Sequence, residues 1–288
     1  ARVGGATREE TRVISFGLYG ANPKYIAGAL RNVELSKIWF PGWACRFYHD
    51  RTVPKRALAE LSSLGGELVS MRGTSIEGGI AGMFWRFLVA DDDKVDRFLV
   101  RDSDSRLNPR DALAVAEWIH SGRRTHSVRD HPNHERPLNG GLWGGTRGFL
   151  TWAKKRQSDE RVGGGGAGWD SGRSAWDDFQ SSGRSARNVS MAWLIETFHT
   201  KEAYGADLDF LTDKVWPFAR LSHLSHDAYS CARFPDTRSF PSPRPHNYQH
   251  VGQVFDASDT PRQSDIDGFM RGVEAPKRCR RRPEWKYG

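Results

Sequence analysis

From residue 12 to residue 122 the chain alternates short β-branched or apolar runs with stretches of helical period, and this alternation narrows its possible folds more than anything else. Residues 12–20 (RVISFGLYG) open with a β-branched run and end in glycine, which reads as a buried strand followed by a loop. Residues 23–32 place Tyr25, Ile26, Ala29 and Leu30 at helical spacing, and residues 44–49 read as a second strand. Residues 54–64 read as a helix, with Pro54 suited to the first turn and Gly65 to the stop. A short third strand covers residues 67–71. Ile80, Met83, Phe84, Phe87 and Leu88 then recur every three or four positions. The apolar run at 97–100 is a strand that leads straight into Arg101-Asp102-Ser103-Asp104-Ser105-Arg106. After it, Asn108 suits an N-cap, Pro109 the first helical position and Gly122 the stop, with Ala112, Val115, Ala116 and Ile119 on the buried face. Strands alternating with helices predict an α/β fold with a mainly parallel central sheet flanked by helices.

The core such a fold needs is available. Apolar residues are 38% of the 288, with 11 Trp and 15 Phe. A single domain over residues 12–256 is expected, after a flexible N-terminus at 1–11. Residues 158–187, rich in Gly, Ser and Arg and without periodicity, read as a disordered insertion. Helical pattern returns at 191–199 and 208–215, residues 234–245 are proline-rich and irregular, and 257–288 read as a basic C-terminal tail. The net charge of +8 is partly local to that tail, at Lys277-Arg278-Cys279-Arg280-Arg281-Arg282, which reads as a solvated end. No zinc finger or aromatic RNA-binding motif accompanies it, so no nucleic-acid partner is expected. Cys45, Cys231 and Cys279 match no zinc spacing, and reduced thiols are expected. No stretch approaches the roughly 20 apolar residues of a membrane-crossing helix. The first ten residues are polar, without a signal-peptide pattern. A soluble, cytoplasmic protein is expected, or a Golgi-lumenal one if an N-terminal anchor has been removed.

Asp102 and Asp104 carry the chemistry. If the strand stays extended, both carboxylates point to one face, and a divalent cation relieves their repulsion. Mg²⁺ and Mn²⁺ prefer oxygen ligands, and a site with few carboxylates leaves positions for water and phosphate oxygens. Open α/β sheets bind ligands beyond the carboxyl ends of their strands, where this pair falls. A cation there stabilises charge on a departing nucleotide, and Arg86, Arg101 or Arg106 can add to that. Without a metal, Arg101 and Arg106 can simply pair with Asp102 and Asp104. Haloacid-dehalogenase-type phosphatases also use Asp-x-Asp after a strand, but after the first strand, whereas several strands precede this one.

The ordered series Met83-Phe84-Trp85-Arg86-Phe87, Arg101 to Arg106, Ala114-Val115-Ala116-Glu117-Trp118, Arg129-Asp130-His131-Pro132 and Gly140-Gly141-Leu142-Trp143-Gly144 resembles GT-A-type nucleotide-sugar glycosyltransferases of algae, bacteria and large algal viruses, including the N-terminal domain of a chlorovirus glycosyltransferase. The resemblance runs from about Val13 to about Asp256. It implies a GT-A-like fold and transfer of a sugar from a nucleoside-diphosphate sugar, UDP-sugar favoured, to a saccharide acceptor, with Mn²⁺ or Mg²⁺. It implies metal and diphosphate ligation by Asp102 and Asp104, with Ser103 beside the donor. It places Gly17, Leu18 and Tyr19 in the nucleotide pocket, Asp50 near the nucleoside and Arg86 at the donor's phosphates or sugar. A late histidine often completes the metal site in such enzymes; His226 is the choice, with His223 its competitor. Where relatives often read Asp-Gln, this chain has Asp207-Leu208 and then Asp209. Either aspartate could be the base an inverting enzyme needs, or a helix cap.

Two further segments stay open. Gly140 and Gly141 allow close backbone approach to a sugar with Trp143 stacked on it, or form a tight turn with Trp143 in the core. His131-x-x-His134 has no third ligand beside it, so zinc is not expected; Asp130 and His131 instead suit the border of the donor sugar. Two rivals remain. One is a nucleotidyl- or phosphosugar transferase using the same metal pair, and the other a non-catalytic carbohydrate-binding module on a decayed transferase scaffold.

Overall fold

The structure, a computed structural model, describes residues 8–76, 82–162, 189–199, 203, 205–234 and 237–288. Strand β1 (Arg12–Leu18) sets the order of everything else. Its side chains alternate between two apolar layers, with Val13 in one and Ile14, Phe16 and Leu18 in the other, all buried. A strand buried on both faces must be covered by helices on both, which requires crossover connections and so parallel neighbours. β1 accordingly pairs in parallel with β2 (Trp43–His49) on one side and β4 (Arg97–Arg101) on the other, and β2 pairs in parallel with β3 (Glu67–Ser70). Beyond β4 the sheet continues through β6 (Leu142–Thr146), β5 (Thr125–Arg129), β7 (His223–Asp227) and β8 (Thr237–Arg238), in the order β3-β2-β1-β4-β6-β5-β7-β8. β6 runs antiparallel to both neighbours; β5, β7 and β8 are mutually parallel. The mainly parallel α/β sheet expected from the alternation is therefore present.

Helices α1 (Pro23–Trp39), α2 (Lys55–Ser63) and α4 (Pro109–Ser121) cover one face, where Ala29, Val33, Leu61, Val115 and Trp118 pack on Phe16, Phe47 and Leu99. α3 (Gly82–Trp85), α5 (Phe149–Val162), α6 (Met191–Glu196) and α7 (Ala206–Phe210) cover the other, around Phe84, Phe87, Phe98, Trp143 and Phe210. The predicted caps of α4 hold: Asn108 Oδ1 accepts from Asp111 N at 3.0 Å, and Gly122 takes φ 67°, which favours glycine.

Four expectations change. The helix predicted around residues 80–88 is only one α-turn, Gly82–Trp85, continued as a 3₁₀ turn over Arg86–Asp91; Ile80 lies outside the described residues. α5 extends through Val162 into the segment read as an insertion, whose remainder lies outside the described residues. Residues 8–11 are tied down, Arg8 to Asp96 at 2.7 Å and Glu10 to Arg12 at 2.7 Å. Most of all, the C-terminal segment is folded. A disulfide joins Cys231 to Cys279 across 48 residues, so the expectation of reduced thiols fails for that pair. Ile266, Met270, Ala275 and Cys279 are buried, and Arg281 of the basic run pairs with Glu117 of α4 at 2.6 Å. Apolar residues spaced among charges supply the docking face that the charge run concealed. Cys45 is free and buried, and burial pushes its thiol up to about 12. Among the described residues no helix is long and apolar enough to cross a membrane.

Candidate functional site

The sheet changes direction of construction at β1: α1 leads from it to β2 on one side, while β4 lies on the other. The carboxyl ends of β1 and β4 therefore flank a crevice of the kind where α/β sheets bind ligands. Ser103, just past β4, ties the two ends together by donating from Oγ to Gly17 O at 2.8 Å. Gly17 has no room for a side chain, since a Cβ there would stand 2.8 Å from Gly82 O. Leu18 is buried in the core, and Tyr19 lies partly exposed against Gly82 and edge-on to Trp85. Asp50, at the end of β2, accepts from Thr52 N at 2.9 Å. Thr52 Oγ1 in turn accepts from Gly20 N at 2.6 Å, so Asp50 braces the loop after β1.

The acidic pair does not continue the strand. Ser105 N and Oγ both donate to Asp102 O, at 3.2 and 2.9 Å, so the chain turns after Asp102. Each holds a basic side chain. Asp102 pairs with Arg86, whose other nitrogen reaches Asp207 at 3.0 Å; Asp104 pairs with Lys24 of α1 at 2.8 Å. Arg101 and Arg106, the expected partners, are engaged elsewhere. Arg101 is buried in a two-pronged pair with Asp111, at 2.8 and 2.7 Å, and Arg106 meets Asp259 at 2.5 Å. Strand alternation explains the swap: Arg101 turns to the α4 face, and Asp102 to the face of Arg86 and Asp207. Lys24 escaped the sequence reading because its only signal, a position just inside the α1 N-terminus, is common to many lysines.

Burial and then the charge of Asp102 push the Asp104 carboxyl up, against the pull of Lys24. Burial also pushes Asp207 up, with Arg86 opposing. Burial alone would depress Arg86, but Asp102 and Asp207 hold it above its usual range. A divalent cation suits this place. The repulsion between the two carboxylates is present, and the Asp102 side chain is 40% exposed beside Gly141, where any Cβ would collide with its carboxylate. Among the described residues no three His, Cys, Asp or Glu side chains stand together to hold a metal. Asp102 and Asp104 would therefore share the ion with ligand oxygens and water.

Of the two base candidates on α7, only Asp207 faces the crevice. A helix turns about 200° over two residues, so Asp209 points outward, 55% exposed and paired with Arg136 at 2.7 Å. Gly140 lies under this cluster: a Cβ there would stand 2.5 Å from Asp207 Oδ2 and 2.7 Å from an Arg86 nitrogen. Trp143 is fully buried against Phe87 and Phe98, which settles it as core. The glycine pair thus brings backbone close to carboxylates, and Trp143 offers no stacking face.

Four residues singled out in the sequence have other partners. His226 lies on β7, three strand positions from β4, or about 14 Å at the usual strand spacing. Its ring nitrogens meet His126 at 2.9 Å and Glu117 at 3.0 Å, on the α4 side, so it does not join Asp102 and Asp104. His223 is likewise taken, by Thr125 at 3.0 Å and Ser127 at 2.9 Å. Asp130 is fully buried and saturated by Arg110 at 3.0 Å, Arg244 at 2.5 Å and Val251 N at 3.0 Å. Those cations hold its carboxyl far below the usual range despite burial, and nothing is left to meet a sugar. His131 is buried beside it, its ring against those of His134 and His250.

No family model matches the chain, and no curated protein does. Solved structures with similar parts include glucosyl-3-phosphoglycerate synthase from Mycobacterium tuberculosis in complex with Mn²⁺, UDP-glucose and phosphoglyceric acid, at 13% identity and a TM-score of 0.35 over 49% of this chain and 58% of that one. Mannosyl-3-phosphoglycerate synthase from Rubrobacter xylanophilus is another, at 11% identity and a TM-score of 0.37 over 49% and 55%. The chain thus spans under three fifths of the length of these structures.

Proposed function

We propose that this chain is a GT-A-like, metal-dependent glycosyltransferase that moves a sugar from a nucleoside-diphosphate sugar, UDP-sugar favoured, to an acceptor hydroxyl. One observation carries the reading. Both carboxylates at the β1–β4 switch point hold an exchangeable basic side chain, Asp102 with Arg86 and Asp104 with Lys24. A cation that takes the carboxylates frees two positive side chains at the same spot, which is the charge pattern a diphosphate needs.

Asp102 and Asp104 would hold Mn²⁺ or Mg²⁺, which when bound neutralises charge on the departing diphosphate. Arg86 and Lys24, released from the carboxylates, meet the phosphate oxygens. The end of β1 at Gly17 and the loop after it with Tyr19, braced by Ser103 and Asp50, receive the nucleoside, while Leu18 stays in the core. Asp207 takes the proton of the acceptor hydroxyl as its oxygen bonds to the anomeric carbon and the bond from that carbon to the diphosphate breaks. Burial has raised the Asp207 carboxyl, which makes it a better proton acceptor than a solvated aspartate.

A melting-temperature panel of UDP, GDP, their sugar conjugates and other nucleotides, with and without Mn²⁺, tests the reading. Stabilisation by a nucleoside diphosphate that requires Mn²⁺ is expected, as mass action demands of a ligand bound to the folded state. Asp104→Ala should abolish it. No metal-dependent shift with any diphosphate would refute the proposal. Turnover that releases pyrophosphate would assign a nucleotidyltransferase instead.

A further inference from the structure

The amino edge of the sheet carries a cavity of its own, at the end opposite the acidic pair. Glu10, Asp96, Arg124 and Ser222 stand one or two residues ahead of β1, β4, β5 and β7, so strand pairing brings all four to one edge. With Arg147 and with Trp152 of α5 they line a cavity of about 560 Å³. The five residues of β4 separate it from the acidic pair, about 16 Å at the usual rise per strand residue.

The charges around this cavity do not balance. Glu10 accepts from Arg12 at 2.7 Å and from Arg97 at 3.0 Å. Asp96 accepts from Arg8 at 2.7 Å, Arg147 at 2.9 Å and Thr11 N at 2.8 Å. Each carboxylate is thus answered by two guanidiniums. A fifth guanidinium, that of Arg124, meets no carboxylate and donates to no acceptor among the described residues. Five guanidiniums against two carboxylates leave a surplus of positive charge, and Arg124 is the member of the set still free to bind.

Arg124 is also held in place. Its N donates to Ser222 Oγ at 3.2 Å, its carbonyl accepts from Thr146 N at 2.8 Å, and its guanidinium lies over the Trp152 ring, 4.7 Å from the centroid. A planar fork fixed in this way gives up little freedom when it binds. Arg124, Trp152 and Ser222 are each partly exposed, so a ligand can reach them. What they offer is donors. An indole N–H can only donate, and that of Trp152 has no acceptor among the described residues. Ser222 Oγ accepts from Arg124 N and keeps its own hydrogen to give. The two acceptors in the wall, Glu10 and Asp96, are consumed.

A donor set with surplus positive charge suits an oxyanion. Three kinds of donor match the three free oxygens of a phosphate monoester better than the two of a carboxylate, and its near-double negative charge at pH 7 answers the surplus. The cavity falls within the usual range for small-molecule sites, about 300–1,000 Å³, which leaves room for the rest of the molecule. We propose that Arg124, Trp152 and Ser222 bind the phosphate group of a small phosphate monoester at the amino edge of the sheet. This site is separate from the crevice and does not depend on the transferase reading.

Calorimetric titration of the full chain with glycerol 3-phosphate, in metal-free buffer at low salt, tests this. Inorganic phosphate, acetate and glycerol are the contrasts. Glycerol 3-phosphate and inorganic phosphate should bind, acetate at least about tenfold more weakly, and glycerol not at all. Arg124→Gln should weaken glycerol 3-phosphate about tenfold, or ~1.4 kcal/mol, and leave the melting temperature nearly unchanged, because no ion pair is lost. Arg124→Lys keeps the charge without the fork and should restore only part of the affinity. Lys24→Ala, which alters the crevice, should leave glycerol 3-phosphate binding as it is. Absence of glycerol 3-phosphate binding, acetate bound equally well, or unchanged affinity in both Arg124 variants would overturn the proposal. So would loss of binding in Lys24→Ala, which would move the phosphate to the crevice. The UDP–Mn²⁺ shift is measured alongside and should be the same in Arg124→Gln as in the unmodified chain. Its absence with glycerol 3-phosphate binding intact refutes the transferase reading alone; its presence without that binding refutes the amino-edge site alone.

Discussion

Lys24 and Arg86 give the residue scale its sharpest test. Lys24 pairs with Asp104, so in the proposed reading it competes with a cation for that carboxylate and meets a diphosphate once released. Lys24→Ala should therefore tighten Mn²⁺ binding in the absence of nucleotide and weaken UDP binding in its presence. Each change should be roughly 1 kcal/mol, a factor of about five, as befits a partly exposed pair. Calorimetric titrations showing both affinities move the same way would rule out this dual role. Asp207 and Asp209 separate just as cleanly. Asp207→Asn should lower kcat by roughly 10²–10⁴ if its carboxylate takes the acceptor proton. Asp209→Asn, which loses only a surface pair with Arg136, should change it little. Equal losses in the two variants would mean that the helix and not the Asp207 carboxylate matters. The sequence offered both aspartates on equal terms; helical pitch turned Asp207 toward Arg86 and Asp209 toward Arg136.

At the scale of elements, the C-terminal segment departs most from its composition. Read as a charge run it is a solvated tail; in the fold it is a strap, clamped by Cys231–Cys279 and by Arg281 on Glu117. Arg244 of the preceding loop donates to Tyr287 O at 2.7 Å and thereby joins the strap to buried Asp130. A cross-link across 48 residues restricts the unfolded chain by about 4 kcal/mol in the loop-entropy picture. Reduction, or Cys279→Ser, should accordingly lower the melting temperature by several degrees and expose residues 257–288 to limited proteolysis. An unchanged melting temperature after verified reduction would show that the clamp contributes nothing. The pairing was not legible, because three cysteines at unrelated spacings specify no bond until the fold brings two of them together.

For the molecule as a whole, the distribution of histidines predicts a pH response. His126 and His223 are fully buried, and burial holds both well below the usual histidine range, helped by His226 beside the first and Arg129 beside the second. His134 and His250 follow. In the unfolded chain these rings take up protons below about pH 6.5, and in the folded chain they do not. The unfolded state then binds more protons, so stability is fully present above that pH and falls as pH drops through it. The slope is about 1.4 kcal/mol per pH unit for each such histidine. Glu117, held down to about 2 mainly by its hydrogen bond with His226, acts only below the ordinary glutamate range and leaves this window untouched. Melting temperatures should drop steeply between pH 7 and pH 5; a flat profile would refute neutral burial of these rings.

What the sequence determined alone is everything governed by local period and capping. It specified the strands β1 to β4, the capped helix α4, the α/β class, and the delivery of Asp102 to the carboxyl edge of an apolar strand. Periodicity is a property of neighbouring residues, so it survives without a fold. Only the tertiary structure decided what depends on which distant elements meet. It placed antiparallel β6 between β4 and β5, turned the chain after Asp102, and chose Arg86 and Lys24 over the adjacent arginines. It withdrew His226 to the α4 face, saturated Asp130, and stacked His131 and His134 against His250 from a loop more than a hundred residues away. Side-chain partners across such separations are chosen by sheet order and by which face each position presents, and no window of sequence contains either.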